Sequence, residues 1–296
     1  MRIIGVIPSR WGSTRFPGKS LHPICGKPLV YWVAERAQRA LDEVIVATDD
    51  ERIAEAVRGF GFARVRVAMT RPDHPSGTDR VAEAAQPDDD DIIINIQGDE
   101  PLISPMLIKM LAARMQSDTG WAMATVACPI RDIRDLEART VVKVVMAQDD
   151  SALYFSRLPI PCLRDGEPEL GPPGPYLRHA GGLYLRHIGI YAYRGAFLKR
   201  LVAEPPCALE KAESLEQLRA LYLGGRIAVV LADEPGVGVD TPEDVAKVEK
   251  LLRESPEEEE KEGLRQVAEM FKLWKDYCAR TGTRIDDWEA WAKFKG

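Results

Sequence analysis

Ten residues near the start of the chain, Arg10-Trp11-Gly12-Ser13-Thr14-Arg15-Phe16-Pro17-Gly18-Lys19, bring cations, hydroxyls and glycines into one short segment. Such a segment can wrap a polyanion. Small residues open N–H groups to its oxygens, while Arg and Lys neutralise its charge. A nucleoside triphosphate fits this chemistry best, and a solvated basic turn is the competing reading. The spacing matches neither a P-loop nor a dinucleotide-binding glycine motif. A second chemistry comes from two acids: Asp99 in Gln97-Gly98-Asp99-Glu100-Pro101, and Asp240 in Gly236-Val237-Gly238-Val239-Asp240-Thr241-Pro242. Two carboxylates and phosphate oxygens make a hard-oxygen magnesium site, because Mg²⁺ takes only one or two protein carboxylates and keeps waters. Taken singly, Asp99 reads equally as a strand-end turn and Asp240 as a helix cap. Their combination with the cationic loop argues for metal.

The elements that must position these residues alternate. Ile3 to Pro8 reads as a buried strand, so the cationic loop lies at a strand's carboxyl end, where open α/β sheets bind ligands. Leu29 to Ala40 has helical apolar spacing, and Val44 to Val46 is a short strand. Thr48-Asp49-Asp50 caps a helix through Val57, Val65 to Met69 is a strand, and Gly77 to Ala85 is helical. Ile92 to Ile96 is a continuous apolar run, as a strand buried on both faces requires. This order predicts an α/β fold with a mainly parallel central sheet and flanking helices. Further on, Trp121 to Ala127, Val141 to Met146, Arg186 to Tyr193 and Ile227 to Leu231 read as strands, and Leu209 to Leu223 as one helix. Leu163 to Arg178, rich in Gly and Pro, reads as a long loop. Thr241 as N-cap, Pro242 at N1 and an acid at N3 start another helix.

Composition shifts after Arg253, which predicts a domain over 1–253 and an appended segment over 254–296. In that segment an acidic linker, Glu257 to Glu260, precedes an amphipathic helix with Leu264, Val267 and Ala268, Phe271, Trp274 and Cys278 on one face. Its apolar face predicts docking on the main domain or across a dimer interface.

The net charge of −6 argues against broad nucleic-acid binding, which leaves a basic footprint. Apolar runs fall short of the roughly 18–20 residues that cross a bilayer. An N-terminus that opens on a strand lacks the layout of a signal peptide. These features predict a cytoplasmic protein with no membrane partner. Five scattered cysteines with no C-x-x-C pair suggest neither zinc nor a disulfide framework.

Eight stretches, in order, resemble the 3-deoxy-manno-octulosonate cytidylyltransferases: IPSRWGSTRFPGK (7–19), VIVATDDERIAEAV (44–57), HPSGTDRVAE (74–83), NIQGDEPLI (95–103), YFSRLPIP (154–161), RHIGIYAYR (186–194), LEQLRALYLGGRI (215–227) and GVGVDTPEDV (236–245). SGTDR and RHIGIYAYR are the most specific. The resemblance spans about residues 1–253 and implies a nucleotide-diphosphosugar transferase-like fold, a homodimer and Mg²⁺ as cofactor. It implies a reaction in which CTP and the acid sugar 3-deoxy-D-manno-octulosonate (KDO) give CMP-KDO and pyrophosphate for lipopolysaccharide synthesis. A related acid sugar (amino-KDO or a nonulosonate), a sugar phosphate as acceptor, and a non-catalytic nucleotide-binding protein are the alternatives.

Residue roles follow from the resemblance. Arg10, Ser13, Arg15 and Lys19 would hold the triphosphate, with Lys19 also meeting charge that develops on transfer. Ser76 and Gly77 would read the cytosine edge, or simply start a helix, and Gln97 would face the nucleotide. Asp99 and Asp240 would bind magnesium. Arg80 would be a phosphate ligand or, preferably, a buried ion-pair partner. Arg157 would take the sugar carboxylate. His187 and Tyr191, four apart on a strand, and Glu213 and Gln217, four apart on a helix, would meet sugar hydroxyls. The competing reading makes Tyr191 core and Glu213 a solvated helix face.

Overall fold

The structure, a computed structural model, describes residues 1–12, 16–168, 170, 183–232, 236–254 and 278. The chain divides into two compact units, Met1–Val248 and Glu249–Gly296. Most of the second unit, including the amphipathic segment apart from Cys278, lies outside the described residues, as does most of the Gly/Pro-rich loop.

In the first unit, β1 (Ile3–Pro8) leads through a 3₁₀ turn (Lys19–Leu21) and the small hairpin β2 (Pro23–Ile24) and β3 (Lys27–Pro28) into α1 (Leu29–Ala40). Then follow β4 (Glu43–Thr48), α2 (Glu51–Arg58), β5 (Val65–Met69), α3 (Gly77–Ala85), β6 (Ile92–Asn95), α4 (Pro105–Ser117) and β7 (Met123–Pro129). After α5 (Ile133–Glu137) come β8 (Lys143–Met146), β9 (Ala152–Ser156) and β10 (Leu185–Arg194). The described part closes with α6 (Gly195–Ala203), α7 (Ala208–Glu213), α8 (Gln217–Tyr222), β11 (Ile227–Leu231) and α9 (Pro242–Glu254).

The main path of the sheet is β11-β7-β10-β6-β1-β4-β5, with β8 and β9 added beside β10. β1 lies parallel between β4 and β6, and β11 runs parallel to β7. Only β10 reverses direction on that path, pairing antiparallel with both β6 and β7. Helices cover both faces, so the central strands are largely apolar. Ile92, Ile93 and Ile94 are fully buried. Ile4, Val6, Ile45 and Ile93 pack one face against Val81 of α3 and against Phe197 and Leu198 of α6. α1 and α4 pack against each other and against the sheet. The parallel strands all end at one edge, where the N-terminal half of β10 also lies.

One expected element differs. The helix read over Leu209 to Leu223 is two helices, because Ser214 adopts the left-handed conformation (φ 52°) and ends α7. Glu213 and Gln217 therefore do not share a helix face: the first ends α7 and the second begins α8.

Candidate active site

The cationic loop leaves the end of β1 and is tied shut at its base. Gly18 N–H donates to Trp11 O (3.3 Å), and Gly18 takes φ 70°. A Cβ at Gly18 would come within 3.1 Å of the Trp11 ring, so the position needs both the conformational freedom and the smallness of glycine. The Arg52 guanidinium lies 3.4 Å over the Trp11 ring as a cation–π partner. Buried Ser9 donates to buried Ser20 (2.8 Å), which fixes the 3₁₀ turn against the end of β1. Lys19 is thereby held at the sheet edge, and Arg10 is exposed beside the loop. Ser13 and Arg15 lie outside the described residues.

Ser76 caps α3. Its hydroxyl accepts from the N–H groups of Thr78 (3.1 Å) and Asp79 (3.3 Å) and donates to Asp79 Oδ2 (2.7 Å). With the hydroxyl so used, what Ser76 and Gly77 keep to offer a ligand is main chain. Gly77 sits beside Pro8 at the end of β1. Arg80 is buried, pairs with Asp49 (2.9 Å) and donates to Thr70 Oγ1 (2.5 Å), which is the ion-pair role preferred from sequence.

The two acids meet through a backbone splice. At Gly98 a Cβ would stand 2.6 Å from Pro8 O, so only glycine lets the β6 loop lie against the end of β1. Gln97 O accepts from Glu100 N–H (3.2 Å) and turns that loop. Asp99 O then accepts from Val239 N–H (2.8 Å), which brings the segment after β11 alongside. Lys19 Nζ lies 2.8 Å from Asp99 Oδ2 and 3.6 Å from Asp240 Oδ1. The capping of α9 falls to Asp244, whose carboxylate accepts from the N–H groups of Asp240 (2.9 Å) and Thr241 (2.8 Å) and from the Thr241 hydroxyl (3.1 Å). The competing role for Asp240, helix capping, is thus filled by the acid at N3.

Adjacent acids on the β6 loop have opposite environments. Asp99 is about one-third exposed and faces Lys19. Glu100 lines an apolar cavity of about 360 Å³ with Leu102, Leu107, Ile188 and Leu231. Burial, reinforced by the Asp99 charge, pushes the Glu100 carboxyl up to about 7. Among the described residues no three His, Cys, Asp or Glu side chains converge on a metal position. Asp99 and Asp240 do converge on one ammonium, and their partial exposure (34% and 49%) leaves room for water. That donor set fits Mg²⁺ completed by phosphate oxygens, and does not fit zinc or an all-protein calcium cage.

On the other side of this edge, β10 carries His187 and Tyr191. Regular strand spacing would place them roughly 13 Å apart. A bulge between Ile188 and Tyr191 compresses the strand there, so their rings stand 5.5 Å apart. Thr125 of β7 fills the bulge, donating to Ile190 O (2.8 Å) and meeting His187 Nε2 (2.9 Å). With its proton on Ile190 O, the Thr125 oxygen accepts from Nε2–H. Burial holds the His187 pKa down at about 3, so the ring is neutral. Tyr191 donates to Gln217 Oε1 (3.3 Å), which joins β10 to α8, and Gln217 Nε2 is buried with no partner among the described residues. Arg157 follows β9. Its guanidinium donates to the carbonyls of Glu213 (2.5 Å), Arg139 (3.0 Å) and Ser214 (3.3 Å), and its N–H to Glu213 Oε2 (2.9 Å). Glu213 also accepts from Ser156 Oγ (3.1 Å), so it is tied to β9 and is no freely solvated face.

The sequence pattern of the Cytidylyltransferase family matches residues 4–227. The chain belongs to the cytidylyltransferase family. It is 49% identical over 254 residues to the 3-deoxy-manno-octulosonate cytidylyltransferase of Bdellovibrio bacteriovorus, covering 85% of this chain and 98% of the relative. It is 50% identical over 252 residues to the protein of that name from Pseudomonas fluorescens, covering 83% and 96%. Among solved structures it is similar to a CMP:2-keto-3-deoxy-manno-octonic acid synthetase complexed with CTP. That likeness has TM-score 0.77 and 41% identity, and covers 86% of this chain and 99% of the other. No helix among the described residues is long and apolar enough to cross a membrane.

Several groups of this cytidylyltransferase escape sequence reading. Thr125 and Lys143 lie within apolar strand runs and give no local sign of a polar task. Glu216 accepts from Thr78 Oγ1 (2.7 Å), linking α3 to the start of α8 across the site, a pairing only the tertiary fold creates. Glu100 stands beside Asp99 in a quoted motif, yet only the structure separates the exposed acid from the buried one.

Proposed function

We infer that the enzyme transfers CMP from CTP to the anomeric hydroxyl of KDO, releasing pyrophosphate. The observation that carries this reading is Lys19 bracketed by Asp99 and Asp240 at the sheet edge of a cytidylyltransferase fold. The relatives' names and the CTP-bound neighbour support the substrates. The two bracketing carboxylates support magnesium as cofactor, with Asp99 and Asp240 as its protein ligands. Bound magnesium would supply charge neutralisation at the phosphates and help lower the pKa of a nearby hydroxyl.

The chain's own groups do the rest by positioning and electrostatics. Arg10, Lys19 and, from the same loop, Ser13 and Arg15 hold the triphosphate. Lys19 also stabilises the charge that accumulates as the bond to pyrophosphate breaks. Main-chain groups of Ser76 and Gly77, with Gln97 nearby, accept a pyrimidine where a purine would be too large. The acceptor's carboxylate and hydroxyls face Arg157, His187, Tyr191, Glu213 and Gln217, and Gln217 Nε2, without a partner among the described residues, supports a polar ligand there. The acceptor oxygen attacks the α-phosphorus, the bond to the β-phosphate oxygen breaks, and no enzyme-bound intermediate forms. A homodimer in the cytoplasm, feeding lipopolysaccharide synthesis, completes the proposal.

Pyrophosphate release measured over a nucleotide panel crossed with an acid-sugar panel tests this. CTP with KDO should give the highest kcat/KM. A purine nucleotide used as well as CTP, or a nonulosonate preferred to KDO, would overturn the assignment.

A further inference from the structure

Lys143 is among the largest fully buried side chains of the protein, and nothing in the reaction just described uses it. Its ammonium donates to three carbonyls, those of Ala138 (2.9 Å), Val141 (2.8 Å) and Arg157 (2.8 Å). Three acceptors consume three N–H donors, which only the charged form possesses. Among the described residues no carboxylate pairs with it at ion-pair distance. The carboxylates of Asp135 and Glu213 act on it only from a distance, and burial and the Arg157 charge oppose them, so a buried ammonium bonded to carbonyls is costly and calls for a reason.

The reason lies in what the three carbonyls belong to. Ala138 and Val141 bound a turn closed by Val141 N–H to Ala138 O (3.1 Å), and the same turn supplies Arg139 O to the Arg157 guanidinium. Arg157 is thus clamped twice to one turn, by its own carbonyl through Lys143 and by its side chain through Arg139. From there it reaches Glu213 with both N–H and guanidinium. On β8, Lys143 also sits in register between Ser156 of β9 and Arg186 of β10, and the neighbouring Val142 O accepts from His187 N–H (2.8 Å). One ammonium therefore lies where the supports of Arg157, Glu213 and His187 converge.

We propose that Lys143 is a positioning residue for the acid-sugar subsite: it sets the backbone of Arg157 and adds a positive charge, bonded directly only to carbonyls, beneath the place where the acceptor's carboxylate binds. The proposal rests on the assignment of that subsite to KDO. It predicts that Lys143 governs acceptor affinity and leaves the nucleotide side alone, because β1, β4, β6 and α3 make no hydrogen bond to it.

The experiment compares wild type with Lys143→Met, Lys143→Gln and Lys143→Arg by steady-state kinetics in KDO and in CTP. The neutral variants should raise KM for KDO at least 10-fold while KM for CTP stays within 2-fold, and Lys143→Arg should recover part of the KDO affinity. An unchanged KM for KDO in a folded neutral variant, or an equal rise in both KM values, would overturn the proposal. Should every variant fail to fold, hydrogen exchange on the wild-type protein decides. KDO should slow exchange of the Val141 and Arg157 amides beyond the effect of CTP, and exchange indifferent to KDO would refute the role. Wild-type turnover of KDO with CTP is measured alongside. Its absence would fault the substrate assignment, whereas normal turnover with an insensitive Lys143 faults this inference alone.

Discussion

Replacing Gly98 by alanine tests whether the active carboxylates depend on backbone contact between β1 and β6. The added Cβ would lie 2.6 Å from Pro8 O. Ordinary carbon–oxygen contacts begin near 3.3 Å, so the strand ends must part by about 0.7 Å. Neither partner can yield cheaply. Pro8 ends a buried strand, and Gly98 is joined to Asp99, whose carbonyl holds Val239 N–H at 2.8 Å. The displacement therefore passes to Asp99 and, through Val239, to Asp240. Misplacement by about 1 Å can cost on the order of 10²-fold in rate, so a drop of roughly 10- to 100-fold in kcat is expected. The accompanying loss of stability should be about 1–3 kcal/mol, the usual range for overpacking. Initial rates of pyrophosphate release at saturating CTP and KDO, paired with thermal unfolding, separate the two effects. A folded Gly98→Ala protein with wild-type kcat would show that the carboxylates are not held by this contact, and the positional argument would fail.

Two further outcomes follow from the site and its surroundings. Asp99→Asn and Asp240→Asn should each lower kcat on the order of 10²-fold or more, the size of removing one preorganised electrostatic element, and EDTA should abolish turnover until Mg²⁺ is restored; full activity in EDTA would remove the metal role. At the far end of β1, burial would by itself raise the Asp91 carboxyl, but hydrogen bonds from the Arg2 guanidinium and from the Arg2 and Asp88 N–H groups outweigh it and hold it at about 2. Because the folded pKa lies below the ordinary aspartate value of 3.8, this contribution is fully present above about pH 4 and is lost as pH falls towards 2. It amounts to about 2 kcal/mol at most. Asp91→Asn should flatten the dependence of unfolding free energy on pH across that window, and an unaltered slope would contradict it.

Sequence legibility followed the range of the signal. The helix over Leu29–Ala40 and the helix over Gly77–Ala85 agree with the sequence reading residue for residue, because apolar spacing and the Ser76 cap are local facts. Ile92 onward reads as a strand for the same reason. The reversed direction of β10 was not legible, since the residues of a buried strand do not encode which way it enters a sheet. The break at Ser214 was hidden because a non-glycine residue adopts the left-handed conformation there, supported by Ser214 N–H and Leu215 N–H on Glu210 O. At the site, the motifs exposed the cations and acids. The bond between Asp99 and Val239, the bulge that brings His187 to Tyr191, and the capture of the Arg157 guanidinium by carbonyls belong to contacts distant in the chain.

The intercalated strand has a consequence for how the molecule comes into being. During synthesis β6 and β7 leave the ribosome well before β10, yet β10 lies between them. Until it arrives, each presents an apolar edge with unpaired N–H and C=O groups, the kind of edge that recruits foreign strands. N-terminal segments organise first, and non-local pairing is slow because loop closure precedes its reward. Arrival of Leu185–Arg194 seals both edges in a single event and joins the two halves of the sheet. His187 and Tyr191 ride in on that same strand. A nascent chain halted before it would hold the nucleotide-side strands without their acceptor pocket, so the first acceptor-side residues and the sealing of both edges arrive on one strand, while Gln217 and Asp240 complete the site later.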